Sequence, residues 1–246
     1  MSNDKAKNEG GAFGETVSVI VQAVLLAVFL RTVLFQPFSI PSGSMKPSLL
    51  VGDYLFVSKF SYGYSNYSIP FSPNLFEGRI WSGDPKRGDI AVFKYPPNPN
   101  VDYIKRVIGL PGDKIQIREG IVYINDVAVQ RERAPENYID DANGVGPIPV
   151  FIETLPNGVS YRTLDVNPRS LGDNTRVFEV PEGHYFMMGD NRDNSSDSRF
   201  DTGFVPLENF VGRASMIFFS IRDESHPLAV WKWPEDLRAS RIFSGL

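Results

Sequence analysis

The chain contains no cysteine, which excludes a thiol nucleophile, an iron–sulfur cluster and Cys-ligated zinc and leaves the redox compartment open. Histidine is nearly as scarce. His184, in a Pro-Glu-Gly-His turn, and His226, before Pro227, stand far apart, and no His-x-x-x-His or clustered carboxylate spacing marks a metal site. Neither a metal nor a cofactor is therefore expected. Charge of one sign is also lacking: the net charge is −4 and the lysines and arginines are dispersed, so there is no basic stripe and no nucleic-acid partner is expected. Only one long apolar run occurs, and after it no window reads as a long amphipathic helix.

That run defines the first part of the chain. Residues 1–12 are polar and Gly-rich and are expected to form a disordered tail. Residues 13–35 read as a transmembrane anchor, because Val17 to Leu30 carries only Ser18 and Gln22 as polar guests. With Arg31 snorkelling toward the interface, about 20 residues at about 1.5 Å each suffice for one crossing. A secretory signal peptide would need an Ala-x-Ala-like site, which does not follow. A buried core helix is the other reading, and Gln22 and Arg31 would suit it. The flanking charges barely decide the orientation.

Residues 36–246 are long enough for a single domain whose core needs no disulfides, and their 19 prolines, 21 glycines and 18 phenylalanines, counted over the whole chain, suit a turn-rich β protein. The fold class expected is a mainly antiparallel β domain behind one N-terminal transmembrane helix. Strands are predicted at residues 54–60, 89–95, 103–109, 114–118, 121–124, 127–130, 184–188 and 214–221, with hairpin tips at Glu119-Gly120 and Asn125-Asp126. Gly-Asp recurs as a turn signal at Gly52, Gly83, Gly88, Gly112, Gly172 and Gly189. Residues 61–86 read as a long loop whose apolar residues Phe71, Leu75, Phe76, Ile80 and Trp81 either rest on lipid or pack on the β domain. Residues 131–175 read as an irregular insertion. The tail offers a short helix from about Glu235, with Trp231, Trp233 and Phe243 either dipping into the interface, with Arg238 and Arg241 near headgroups, or capping the core.

One octet, Ile40-Pro41-Ser42-Gly43-Ser44-Met45-Lys46-Pro47, concentrates what a reactive serine needs. Pro41 and Pro47 stiffen the backbone, Gly43 lets it turn, and two hydroxyls stand two residues apart. Alone, such a stretch is more often a surface turn. Neither histidine sits in a setting that suggests a triad with Ser44, and the alternative base is a lysine made neutral by burial. In Tyr103-Ile104-Lys105-Arg106-Val107, strand alternation puts Lys105 on the face of Tyr103 and Val107, in apolar surroundings, whereas Arg106 stays protonated. A strand lysine is otherwise usually a solvated cation.

The segments Phe35 to Met45, Gly52-Asp53, Arg87 to Phe93, Tyr103 to Asp113 and Gly189 to Arg199, in that order, resemble the motif set of bacterial type I signal peptidases, also called leader peptidases. The resemblance runs from the anchor to about Arg213 and resumes at Arg238-Ala239-Ser240-Arg241-Ile242. It implies a membrane-anchored serine endopeptidase that removes signal peptides from exported preproteins after small-x-small sites, typically Ala-x-Ala. Residue by residue it makes Ser44 the nucleophile and Lys105 the general base. Ser42 and the Ser44 N–H form an oxyanion hole, Ser195 orients the lysine amine, and Asp197 and Arg199 are a supporting ion pair. Shallow pockets are expected from Phe38, Ile40, Pro41, Met45, Tyr103 and Ile104.

The resemblance also implies a single-pass protein of the bacterial cytoplasmic membrane with its catalytic domain on the outer side. Its expected partners are preprotein signal peptides, membrane lipid and the nearby export machinery. The acidic stretch from Asp190 to Arg199 lacks the spacing of a calcium loop, and internal ion pairs are expected there instead. Two departures from the family pattern, a single anchor and Lys46 in place of an apolar residue, are expected not to touch the dyad. A Ser-Lys self-cleaving regulator and a catalytically inactive membrane-tethered β domain are the alternative readings.

Overall fold

The chain begins in one long helix, α1 (Asn3–Val33), which runs directly into strand β1 (Phe35–Ser39) of the domain that follows. The computed structural model describes residues 3–246 except 70, 71, 73–75, 141–144 and 223–229. Phe71, Leu75 and His226 lie outside the described residues. From Phe13 to Val33 the helix is long and apolar enough to span a membrane, and from Phe13 to Leu30 its apolar side chains are exposed among the described residues. The helix also takes in residues 3–12, which were expected to be disordered. Extending an existing helix fixes one residue per hydrogen bond gained, so propagation into a polar, Gly-containing segment is far less costly than nucleation there.

The main sheet is antiparallel, in the order β1-β2-β14-β3-β4-β12-β13, with β15 on β14. Its members are β2 (Asp53–Ser58), β3 (Ile90–Lys94), β4 (Asp102–Gly109), β12 (His184–Met188), β13 (Val205–Pro206), β14 (Phe210–Ser220) and β15 (Ser244–Gly245). Both faces of this sheet are covered. In β3, Ile90 and Val92 join a core with Met45, Leu49, Leu55, Val57 and Ile217, while Ala91 and Phe93 point into a second core with Tyr62, Val107, Met187 and Phe210. That accounts for the unbroken apolar run of β3, since a strand buried on both sides need not alternate.

A four-stranded sheet, β11-β5-β6-β7, is built from β5 (Lys114–Arg118), β6 (Ile121–Ile124), β7 (Val127–Ala128) and β11 (Phe178–Glu179). Its two hairpin tips fall where expected, and Glu119, Gly120, Asn125 and Asp126 all have positive φ, as two-residue turns of this hand require.

Residues 131–175 are irregular only in part: strands run up to Leu164, and turns follow from 165 to 175. They hold most of a third sheet, β10-β9-β8, made of β8 (Gln130–Asp140), β9 (Val145–Thr154) and β10 (Ser160–Leu164). Strand β8 eluded prediction because it is mostly exposed and bulged between Arg133 and Asn137, so it lacks an apolar face of period two. Strand β1 was also missed, and its Pro37 is tolerated because β1 is an edge of the main sheet.

The loop over 61–86 is tied to the β domain by Arg79, which donates to the carbonyls of Tyr62, Gly63, Leu207 and Phe210, and Tyr64 Oη donates to the carbonyl of Val33 at the end of α1. Trp81 nonetheless stands exposed beside this junction. In the tail, α2 (Trp233–Asp236) carries Pro234 in its first turn, and the Trp233 ring packs on Phe219 while Trp231 and Phe243 are exposed. Arg238 and Arg241 turn inward, not toward headgroups. Arg241 grips the buried Asp53 carboxylate at 2.6 and 3.0 Å, and Arg238 donates to the Val51 carbonyl. The reason is electrostatic, because Asp53 is fully buried and needs a cation.

Candidate active site

Pro41 and Gly43 let the chain leave β1 and fold into a single 3₁₀ turn, Gly43–Met45, that buries Ser44 and Met45. Ser44 Oγ accepts a hydrogen bond from Lys105 Nζ at 2.8 Å, although the two residues are 61 apart in sequence. Ser42 Oγ stands 3.4 Å from Ser44 Oγ. The Ser44 N–H belongs to the first turn of a helix, where N–H groups have no acceptor within the helix.

Lys105 is 4% exposed, and its Nζ also donates to the Ile104 carbonyl at 3.1 Å and lies 5.1 Å from the centre of the Tyr103 ring, the neighbour that strand alternation predicts. Burial lowers its pKa to about 8, against a smaller upward pull from Asp197 and Asp190. Both carboxylates are occupied elsewhere. Asp190 is gripped by Arg106 at 2.8 and 2.6 Å, and Asp197 by Arg199 at 2.9 Å twice. An amine so placed holds a substantial neutral fraction near pH 8 and can take a proton from a hydroxyl 2.8 Å away.

The stretch Asp190 to Arg199 forms the ion-pair network expected of it and also clamps the serine turn. Asn191 donates its N–H to the Ser44 carbonyl at 3.0 Å and its side-chain amide to the Gly43 carbonyl at 3.1 Å. Burial pushes the Asp197 carboxyl up, but the Arg199 guanidinium outweighs it and holds the group below its usual value. The Gly189 N–H donates to Asp197 as well, at 3.0 Å.

Gly189 itself is required for close approach. A Cβ there would strike the Ser195 hydroxyl and come within 2.6 Å of the Ser44 carbonyl oxygen. Gly189→Ala is therefore expected to push the two loops apart and lower kcat by about a hundredfold, since misplacement of about 1 Å costs that much. A kcat within threefold of wild type would show that the approach is not critical.

Two assigned residues sit differently from expectation. Ser195 is buried in the cluster, near enough to Asp197 to help hold that carboxyl low, yet among the described residues its hydroxyl makes no hydrogen bond of ordinary geometry with Lys105 or any other group. Met45 is fully buried in the core with Leu49 and Leu55 and is not among the residues that line the cleft beside β4, because the tight turn buries it. The other five expected pocket residues, Phe38, Ile40, Pro41, Tyr103 and Ile104, line a cleft of about 310 Å³ with Pro37, Ser39, Val92 and Asp102. Among the described residues, strand β12 pairs with β4 only from Arg106 onward, so no strand covers the other edge of residues 102–105 beside this cleft.

The residues that sequence reasoning missed are long-range partners. Asn191 lay within a recognised motif but carried no local sign of its two bonds to the serine turn. Arg192, Glu153 and Tyr161 form a buried cluster behind the clamp, joining β9 and β10 to it.

The sequence is similar to that of a known family. Residues 13–219 match the family described as signal peptidase, peptidase S26. The chain is 43% identical over 262 residues to the signal peptidase I of Rickettsia prowazekii (strain Madrid E), covering all of this chain and 96% of that one. It is 44% identical over 263 residues to that of Rickettsia typhi (strain ATCC VR-144 / Wilmington), covering all of this chain and 98% of the relative. A crystal structure of a signal peptidase I from Enterococcus faecalis V583 matches 54% of this chain and 97% of its own at 29% identity, with a TM-score of 0.32. By sequence across its whole length, the chain belongs to the type I signal peptidases, serine hydrolases of the peptidase S26 family.

Proposed function

We propose that the protein removes signal peptides from exported preproteins by a Ser44–Lys105 dyad, cutting after small-x-small sequences such as Ala-x-Ala. The observation that carries this reading is the 2.8 Å contact between Ser44 Oγ and a buried lysine amine whose pKa is lowered to about 8.

The substrate adds as an extended strand along the open edge of residues 102–105. Strand periodicity then turns the side chains of the first and third residues before the cut toward one face, into the cleft lined by Phe38, Ile40, Pro41, Tyr103 and Ile104, and turns the middle one away. Neutral Lys105 takes the Ser44 proton as Oγ attacks the scissile carbonyl. The Ser44 N–H and the Ser42 hydroxyl donate to the developing oxyanion, at about 3–4 kcal/mol each. The lysine ammonium returns its proton to the leaving amine, and water repeats the sequence on the acyl-enzyme. Asp197 and Arg199 support the loop, and Ser195 is the residue proposed to orient the amine once substrate is bound. Helix α1 anchors the domain at the outer face of the cytoplasmic membrane, where preprotein, lipid and export machinery are its partners. Confining enzyme and substrate to one bilayer raises their effective concentration.

The direct test is cleavage of a preprotein ending its signal in Ala-x-Ala by the full chain in detergent, beside Ser44→Ala. Wild type is expected to cut after the second Ala, and the variant to retain less than about a thousandth of the rate. Cleavage elsewhere, or by the variant at a comparable rate, overturns the reading.

A further inference from the structure

The side chain next to the serine turn makes the one long-range ion pair that reaches the turn from the third sheet among the described residues. Lys46 Nζ binds both oxygens of Asp140, at 2.9 and 2.8 Å, across 94 residues of sequence. Both side chains are buried, at 7% and 11% exposure. The Lys46 stem lies against the turn itself, since a Cβ on Gly43 would stand 3.3 Å from both its Cδ and its Cε. Lys46 thus packs on the turn that carries Ser44.

Asp140 ends β8 at the far end of the β8–β9 hairpin, paired with Val145. Eight residues further along β9, about 26 Å at about 3.3 Å per residue, Glu153 holds Arg192 of the loop that clamps Ser44. One hairpin therefore grips both the serine turn and the loop that clamps it. Desolvating two charges costs more than an apolar contact of the same size would, so a buried pair at this point is better explained by registration than by stability.

We propose that Lys46 and Asp140 are a positioning pair that fixes the Ser44 turn against Lys105 through the β8–β9 hairpin. The proposal rests on Ser44 and Lys105 being the reacting pair. Both are proposed to act through the turn, their side chains being buried.

The experiment compares Asp140→Asn, Lys46→Met and the double variant Lys46→Met/Asp140→Asn in the full chain in detergent. It measures kcat and KM on an Ala-x-Ala preprotein, normalised to folded protein by circular dichroism, and thermal unfolding. All three are expected to lose about 10- to 100-fold in kcat with KM within about threefold. The double variant, which leaves no buried charge unpaired, is expected to regain Tm but not kcat. Recovery of kcat along with Tm in the double variant, or a kcat near wild type in all three, overturns the proposal. Ser44→Ala runs in parallel: if it is inactive while the three variants keep wild-type kcat, only the positioning role falls, whereas cleavage by Ser44→Ala removes the dyad reading as well.

Discussion

Lys105→Met is expected to lower kcat at least about a thousandfold while leaving the fold as stable as wild type or more so. The two outcomes have one cause. Burial lowers the lysine pKa from 10.5 to about 8, so at pH 7 the folded state carries a desolvated ammonium at a cost of about 3 kcal/mol. Methionine fills similar volume without the charge and cannot accept a proton. Between about pH 8 and pH 10.5 the unfolded chain binds more protons at this site than the folded one, so wild type gains stability with rising pH there and the variant does not. Below pH 8 both states are protonated and the penalty is constant.

The wild-type rate should rise about tenfold per pH unit up to about pH 8 and then level off. Preprotein cleavage from pH 6 to 10 and thermal unfolding at pH 7 and 10 check all of this. A variant that is inactive because it is unfolded, or a wild-type rate flat across that range, would contradict it.

The second large effect is expected at Asp197→Asn. The Asp197 side chain is fully buried and that of Arg199 is 1% exposed, so neutralising one partner strands a guanidinium in the interior. Removing one member of such a pair costs about 3–5 kcal/mol. Because Arg199 holds the Asp197 carboxyl below its usual value, against the upward push of burial, the pair stabilises the fold above about pH 4, and that contribution is lost in acid as the carboxylate protonates.

Asp197 also favours the charged form of Lys105. Its loss should therefore move the rising limb of the pH–rate profile below pH 8, in whatever fraction stays folded. Urea unfolding reads the first effect and the profile reads the second. An unmoved limb would leave Asp197 a purely structural residue.

Much of this arrangement was legible in the sequence because it is carried by local chemistry. The anchor is a matter of length and apolarity, the two hairpin tips announce themselves in Glu119-Gly120 and Asn125-Asp126, and strand alternation placed Lys105 beside Tyr103. The misses share a different origin. Strand β8 is polar and bulged, so no period betrays it. Met45 is expected in a pocket from the resemblance, but the 3₁₀ turn buries it in the core. The partners of Arg241 and Lys46 are set by which buried carboxylate the fold brings near, Asp53 in one case and Asp140 in the other, and no spacing rule encodes that.

The open edge of β4 bears on how wide a clientele one such hydrolase can serve. On the proposed mechanism, grip comes from peptide groups that every polypeptide owns, while choice comes from the volume of a small cleft that admits two methyls. Affinity and selectivity are then supplied by separate parts of the molecule and can vary independently. On that proposal the residue between the two small ones faces away and goes unread, so many unrelated leaders would be acceptable to a single catalyst, and a new exported protein would need two correctly spaced small side chains to be released.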